Sequence, residues 1–218
     1  MAEAVRVWDL PTRVFHWLLV ALFAGLWISG SAGKLDLHMK LGAATLALLL
    51  FRIAWGLVGS RTARFADFLA GPRMAAAYLR GQWHGLGHNP LGGWSVMVLL
   101  SLLTVQACAG LFTSDDILTD GPLVWMVSAK TVKLLSAVHR VASKLLLVFV
   151  ALHVGAVAWY RLAKGENLVL PMVTGCKTVA PEMAAKAARL QFRPTWLALV
   201  LSAAAAAVVF GGLAAWGR

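Results

Sequence analysis

The chain has 218 residues, of which 60% are hydrophobic and only 13% charged, and its mean hydropathy is +0.76. That balance excludes a soluble domain with an ordinary polar surface, because most of the chain needs lipid as its solvent. The net charge of +11 does not indicate nucleic acid, since no basic module with interleaved aromatics is present; polytopic membrane proteins place such charge in their inner loops.

Five apolar runs, at about 11–30, 38–58, 91–112, 139–160 and 194–216, each have the length of a membrane-spanning helix. Pro11 suits the first turn of the first helix and Pro194 that of the fifth, while Asp36 and Ser136 are expected as N-caps of the second and fourth. The small residues of SGSAG resemble a signal-peptide cleavage site, but Asp9, Pro11 and a histidine at the start of the run fit a retained helix. No internal repeat or separate soluble domain is visible.

Twelve of the twenty lysines and arginines fall in the N-terminal end, 59–90 and 161–193, and four in the alternate connections and the C-terminus. The positive-inside rule therefore predicts a cytoplasmic N-terminus and a periplasmic C-terminus. The first inner loop contains FADFL and a basic amphipathic piece around Met74–Arg80, read as segments at the membrane surface. Its His84 and His88 are read as loop residues, because Gly85, Gly87 and Pro90 disfavour a helix that presents them together. The outer loop with Asp115, Asp116 and Asp120 lacks the spacing of a calcium loop and reads as an acidic surface with a short interfacial segment. The second inner loop reads as a solvated connection. Ser101, Thr104 and Gln106 give the third helix a packing role by default, and the fifth helix reads as a packing helix or a contact for another subunit. Cys108 and Cys176 fall too far apart for an expected disulfide, and neither sits in a CxxCH motif.

The fourth run carries His139 and His153, fourteen residues apart. At about 100° and 1.5 Å per residue they leave one helix face at two depths, roughly 21 Å apart. Imidazole inside hydrocarbon is costly enough to imply a partner or a job. With the predicted topology, depth pairs His16 with His153 on the inner side and His38 with His139 on the outer side. Two interhelical histidine pairs suit two six-coordinate b-type haems, each iron taking one axial imidazole from either side. A structural zinc usually shows four protein ligands and a proton relay usually includes carboxylates within the spans; neither pattern is present.

Haem propionates need cationic or polar partners. Arg52 follows His38 by fourteen residues and is placed for the inner haem, with snorkelling to the interface as the other reading. Lys40 and Arg140 lie beside the outer ligands and serve either the outer haem or as interfacial anchors.

The motifs VWDLPTRVFHWLL, LHMKLG, LGHNPLGGWSVM and AVHRVASKLLLVFVALHVGA resemble the bacterial cytochrome b561 family, which includes the cytochrome b subunit of nickel–iron hydrogenases. The resemblance spans about 5–178 and implies a four-helix haem-binding bundle, with ligands at His16, His38, His139 and His153. It also implies electron transfer between the quinone pool and an extracytoplasmic redox protein, a c-type cytochrome or a dehydrogenase such as hydrogenase. The fifth span departs from the four-helix pattern.

The expected fold is therefore an all-α integral membrane protein. Residues 1–178 form a di-haem cytochrome b bundle, and 179–218 a linker and extra transmembrane helix. The expected protein lies in the bacterial cytoplasmic membrane, contacts lipid and not nucleic acid, and leaves room for a homo-oligomer. Two other readings stay open: a self-sufficient oxidoreductase between a small substrate such as superoxide and quinone, and a non-haem transporter or anchor whose histidines satisfy one another.

Overall fold

The structure is a computed structural model and describes residues 2–82, 85–115 and 119–216. Among these residues the regular elements are helices, one two-stranded ladder and an isolated bridge between Ser114 and Asp120. The helices are α1 (Leu10–Ser31), α2 (Leu35–Val58), α3 (Phe65–Phe68), α4 (Pro72–Leu79), α5 (Pro90–Gly110), α6 (Ala129–Ala163), α7 (Val169–Thr174), α8 (Pro181–Ala187) and α9 (Thr195–Trp216). Of these, α1, α2, α5, α6 and α9 are long and apolar enough to cross a membrane. The fold is that of an all-α, multi-span membrane protein.

The helix ends show which local rules won. Asp9 caps α1: one carboxylate oxygen accepts the Thr12 N–H at 2.8 Å, and Pro11 follows where a missing N–H costs nothing. Asp36 is not a cap but the second residue of α2, since the His38 N–H already bonds the Lys34 carbonyl; its charge still complements the helix N-terminus. Ser136 is not a cap either. α6 starts at Ala129, where the Ser128 hydroxyl accepts the Thr131 N–H, so Ser136 lies buried within the helix and its hydroxyl bonds the Ser114 backbone. Hydropathy hides this start because Lys130 and Lys133 break the apolar run without breaking the helix. At 35 residues α6 exceeds what a bilayer core requires.

The ladder is absent from the expected architecture. β1 (Glu3–Arg6) pairs antiparallel with β2 (Cys176–Val179), Glu3 opposite Val179 and Arg6 opposite Cys176. Gly175 ends α7 with φ of 86°, a left-handed turn that suits glycine, and its carbonyl accepts the N–H groups of both Val7 and Trp8. Arg13 donates to the Val173 carbonyl. These bonds tie the segment before α1 to the connection after α6, which is thus structured rather than a simple solvated loop.

The chain forms two compact units. Unit 1 comprises Met1–Phe15, Arg52–Val98 and Ala151–Ala198, and unit 2 comprises His16–Phe51, Leu99–Val150 and Leu199–Arg218. In unit 1 the buried Trp55 donates its indole N–H to the second oxygen of Asp9 at 3.0 Å, so each oxygen of that carboxylate accepts a hydrogen bond. The α5 start belongs here too: Asn89 accepts the Gly92 N–H at 2.7 Å as N-cap and donates to the Tyr160 hydroxyl of α6 at 2.8 Å. In unit 2, Val209 and Leu213 of α9 pack on Ala43, Ala47 and Leu50 of α2.

Candidate functional site

Unit 2 contains a cavity of about 420 Å³, lined by residues of all five long helices, among them Leu26, His38, Gln106, His139 and Leu213. Two of the histidines singled out from the sequence are thus brought together. The His38 and His139 rings lie 6.2 Å apart, centroid to centroid, with their planes at 81°.

One local device seats both. The His38 Nδ1–H donates to the Leu26 carbonyl of α1 at 2.9 Å, and the His139 Nδ1–H donates to the Gln106 carbonyl of α5 at 3.0 Å. A helical carbonyl faces the residue four positions on, and in each case that residue is a glycine. A Cβ on Gly30 would stand 3.1 Å from His38 Nδ1, and one on Gly110 would stand 3.0 Å from His139 Cε1. Glycine therefore opens the groove through which each imidazole reaches main chain. The bond fixes the tautomer: with Nδ1 protonated, Nε2 carries the lone pair that a metal takes.

His139 Nε2 is met by the Gln106 side-chain N–H at 3.1 Å, and the other end of that amide, Oε1, is buried without a hydrogen-bond partner. Gln106 is therefore no mere packing residue. A glutamine in the middle of an apolar span was the available signal, since hydrocarbon penalises an amide that has no use.

The donor set fits haem b. A metal–imidazole bond of about 2 Å on each side of one iron puts the two ring centroids about 6 Å apart, close to the separation here. Gly42, on the cavity wall one turn from His38, leaves open space where a side chain would stand. Arg140 lines the same cavity, as do Ser114, Asp115 and Ser136, whereas Lys40 is exposed on α2 and does not line it. Among the described residues no three His, Cys, Asp or Glu side chains converge. A haem needs only two, because the porphyrin supplies four nitrogens of its own.

His16 lies in unit 2, edge-on to Trp17 with centroids 5.1 Å apart, and His153 lies half-buried in unit 1. Arg52, also in unit 1, is only 2% exposed, which excludes snorkelling to solvent. It donates to the Ala63 carbonyl at 3.1 Å and lies over the Phe65 ring at 4.9 Å, while its Nη1 is buried without a partner.

His88 is a residue that the glycine-rich sequence around it disguised. It is held between Trp8, with centroids 4.7 Å apart, and Phe68, at 4.5 Å. Burial first, then the nearby charges of Arg52 and His153, push its pKa down to about 3, so the ring is neutral. Its Nδ1 is buried without a partner. His84 and Asp116 lie outside the described residues.

Fold and site together define a multi-span helical membrane protein with a paired-imidazole centre between its helices. Residues 7–175 match the family model described as prokaryotic cytochrome b561, and the chain belongs to that family. A comparison with individual curated proteins gave no match. Membership makes this a bacterial multi-pass membrane protein with a cytochrome b561-like electron-transfer role, in a family whose cofactor is haem b and which works with redox partners and quinone. The match ends before α8 and α9.

Proposed function

We propose that the protein is a di-haem b-type cytochrome that carries electrons across the cytoplasmic membrane between an extracytoplasmic redox protein and the quinone pool. The observation that carries this reading is the His38–His139 pair, 6.2 Å apart with both Nδ1 atoms bonded to main-chain carbonyls. Haem, when bound, supplies reversible one-electron iron chemistry. The chain's part is to present two neutral, pre-oriented imidazoles so that both axial positions are filled, which favours electron transfer over binding of oxygen or substrate at the iron.

His38 and His139 hold the outer haem in this reading, and His16 and His153 the inner one. Arg140 serves the outer propionates and Arg52 the inner; Lys40, being exposed, acts as an interfacial anchor. The loop charges support an N-terminus in the cytoplasm and a C-terminus in the periplasm.

The test is a reduced-minus-oxidised visible spectrum of the purified protein with a pyridine haemochrome assay. Two low-spin haems b per chain are expected, falling to about one in both His38→Ala and His153→Ala, with different spectral components lost. A colourless protein from haem-replete cells, or two unchanged haems in either variant, overturns the assignment.

A further inference from the structure

We propose that α9 is a wall of the haem site formed by His38 and His139, with Leu213 as its positioning residue for the outer haem. The inference rests on the di-haem reading and gives a part in it to the helix that lies beyond the family match.

α9 begins at Thr195, past the matched residues 7–175, and carries no side chain that suits iron as a ligand. Its contribution is shape. Ala205, Val209 and Leu213 recur at every fourth position, which sets them along one stripe of the helix. Ala205 and Val209 are buried and Leu213 is half-buried, and the side chains grow towards the C-terminal end. Small residues let two helices approach closely in lipid, and a larger one farther along the stripe reaches past the contact. Val209 packs with Ala43 and Ala47 of α2, and Leu213 packs against the same cluster. Ala43 and Leu213 also line the cavity that holds His38 and His139. α9 thus bears on the turn of α2 that follows His38 and closes the space beside it.

A hydrogen bond holds the helix there. The Trp125 indole N–H donates to the Trp216 carbonyl at 3.0 Å. The last four carbonyls of a helix have no donor within it, so this one is open to a partner from elsewhere. Trp125 lies in the connection from α5 to α6, which itself supplies Gly121 and Pro122 to the cavity lining. The bond therefore ties the end of α9 to the rim of the site. All of these residues belong to unit 2.

Such a wall has two physical consequences for a haem. Apolar contact slows its escape. Exclusion of water also disfavours the additional positive charge of ferric iron, which raises the midpoint potential.

The experiment compares purified, haem-loaded wild type, L213A, L213M, W125F and V208A. Val208 is exposed on α9 and controls for the loss of apolar surface as such. Haem release is followed by transfer to an excess of apomyoglobin, and midpoint potentials by spectroelectrochemical titration. The outer haem is the component absent from H38A, and the inner haem the one absent from H153A. L213A should release the outer haem about tenfold faster, as expected from losing a half-buried leucine contact, and should lower its potential, with the inner haem unchanged in both respects. L213M, which nearly conserves volume, should stay close to wild type. W125F should accelerate outer release by a smaller factor.

Equal behaviour of L213A and V208A overturns the wall, as does acceleration of both haems alike, which would make α9 a general packing helix. An outer haem held as firmly in W125F as in wild type overturns the part given to Trp125. If L213A does not accumulate, L213V takes its place, with a smaller acceleration expected. Failure of the underlying reading is seen first and separately, as a wild-type protein without the component that H38A removes.

Discussion

His38 and His139 donate their Nδ1–H groups to carbonyls on two different helices, and in each case the residue four positions beyond that carbonyl is a glycine. The repetition sets both rings in the same tautomer, with both Nε2 atoms left for a ligand. A side chain at either glycine should therefore act on the histidine before it acts on the helix. Gly110→Leu should lose the outer haem and keep the inner, dropping the pyridine haemochrome value from two haems to about one per chain. Retention of both haems would show that the groove does not seat His139.

The Gln106 amide competes for the nitrogen that an iron takes from His139. In Gln106→Leu the carbonyl that holds Nδ1 is kept and the competitor is removed. Haem titration of the apoprotein should show tighter uptake at the outer site, by roughly the worth of one hydrogen bond, about 1 kcal/mol. Weaker uptake would instead make the glutamine a positive contributor to haem binding.

Asp9 joins the start of α1 to Trp55 of α2 through one buried carboxylate. Asp9→Ala removes a cap and strands an indole N–H, a loss of about 3 kcal/mol. Asp9→Asn keeps an acceptor oxygen and should cost less. Thermal unfolding in detergent, followed by circular dichroism, ranks the two; equal losses would mean that the charge matters more than the acceptors.

His88 is neutral in the folded protein, with its pKa pushed down to about 3 by burial first and then by Arg52 and His153. A folded-state pKa below the ordinary value near 6.5 means that the unfolded chain binds the proton more tightly. Stability should fall as pH drops from about 6.5 towards 3 and be insensitive to this group above that window. Thermal melts of wild type and His88→Leu across that range should converge towards low pH; parallel curves would remove His88 as the cause.

The Asn89–Tyr160 hydrogen bond ties the α5 cap to α6. Tyr160→Phe should cost about 1 kcal/mol in the same melts, and by loosening the connection that carries His88 it should broaden the redox titration of the inner haem. A sharp, unchanged titration would confine the bond to stability.

The sequence alone determined the membrane class and the five spans. Those features are written in periodicity and composition: hydrocarbon demands about twenty apolar residues per helix, and it makes each polar exception conspicuous. Local chemistry also placed Pro11 in the first turn of its helix, whereas Pro194, expected in the first turn of the fifth, stands one residue before α9. The cap at Ser136 was misplaced, because α6 continues through Lys130 and Lys133 for a reason no hydropathy window detects: helices do not require apolar residues where they leave lipid. The β1–β2 ladder escaped notice because four-residue strands are too short to show a period and their partners are far apart in the chain. Tertiary structure decided the rest. Only packing shows that Gly30 and Gly110 face imidazoles, that Gln106 grips His139 through both main chain and side chain, and that His88 is enclosed by Trp8 and Phe68. Each depends on which helix face meets which, and a carbonyl or glycine carries no mark in sequence of the neighbour that will use it.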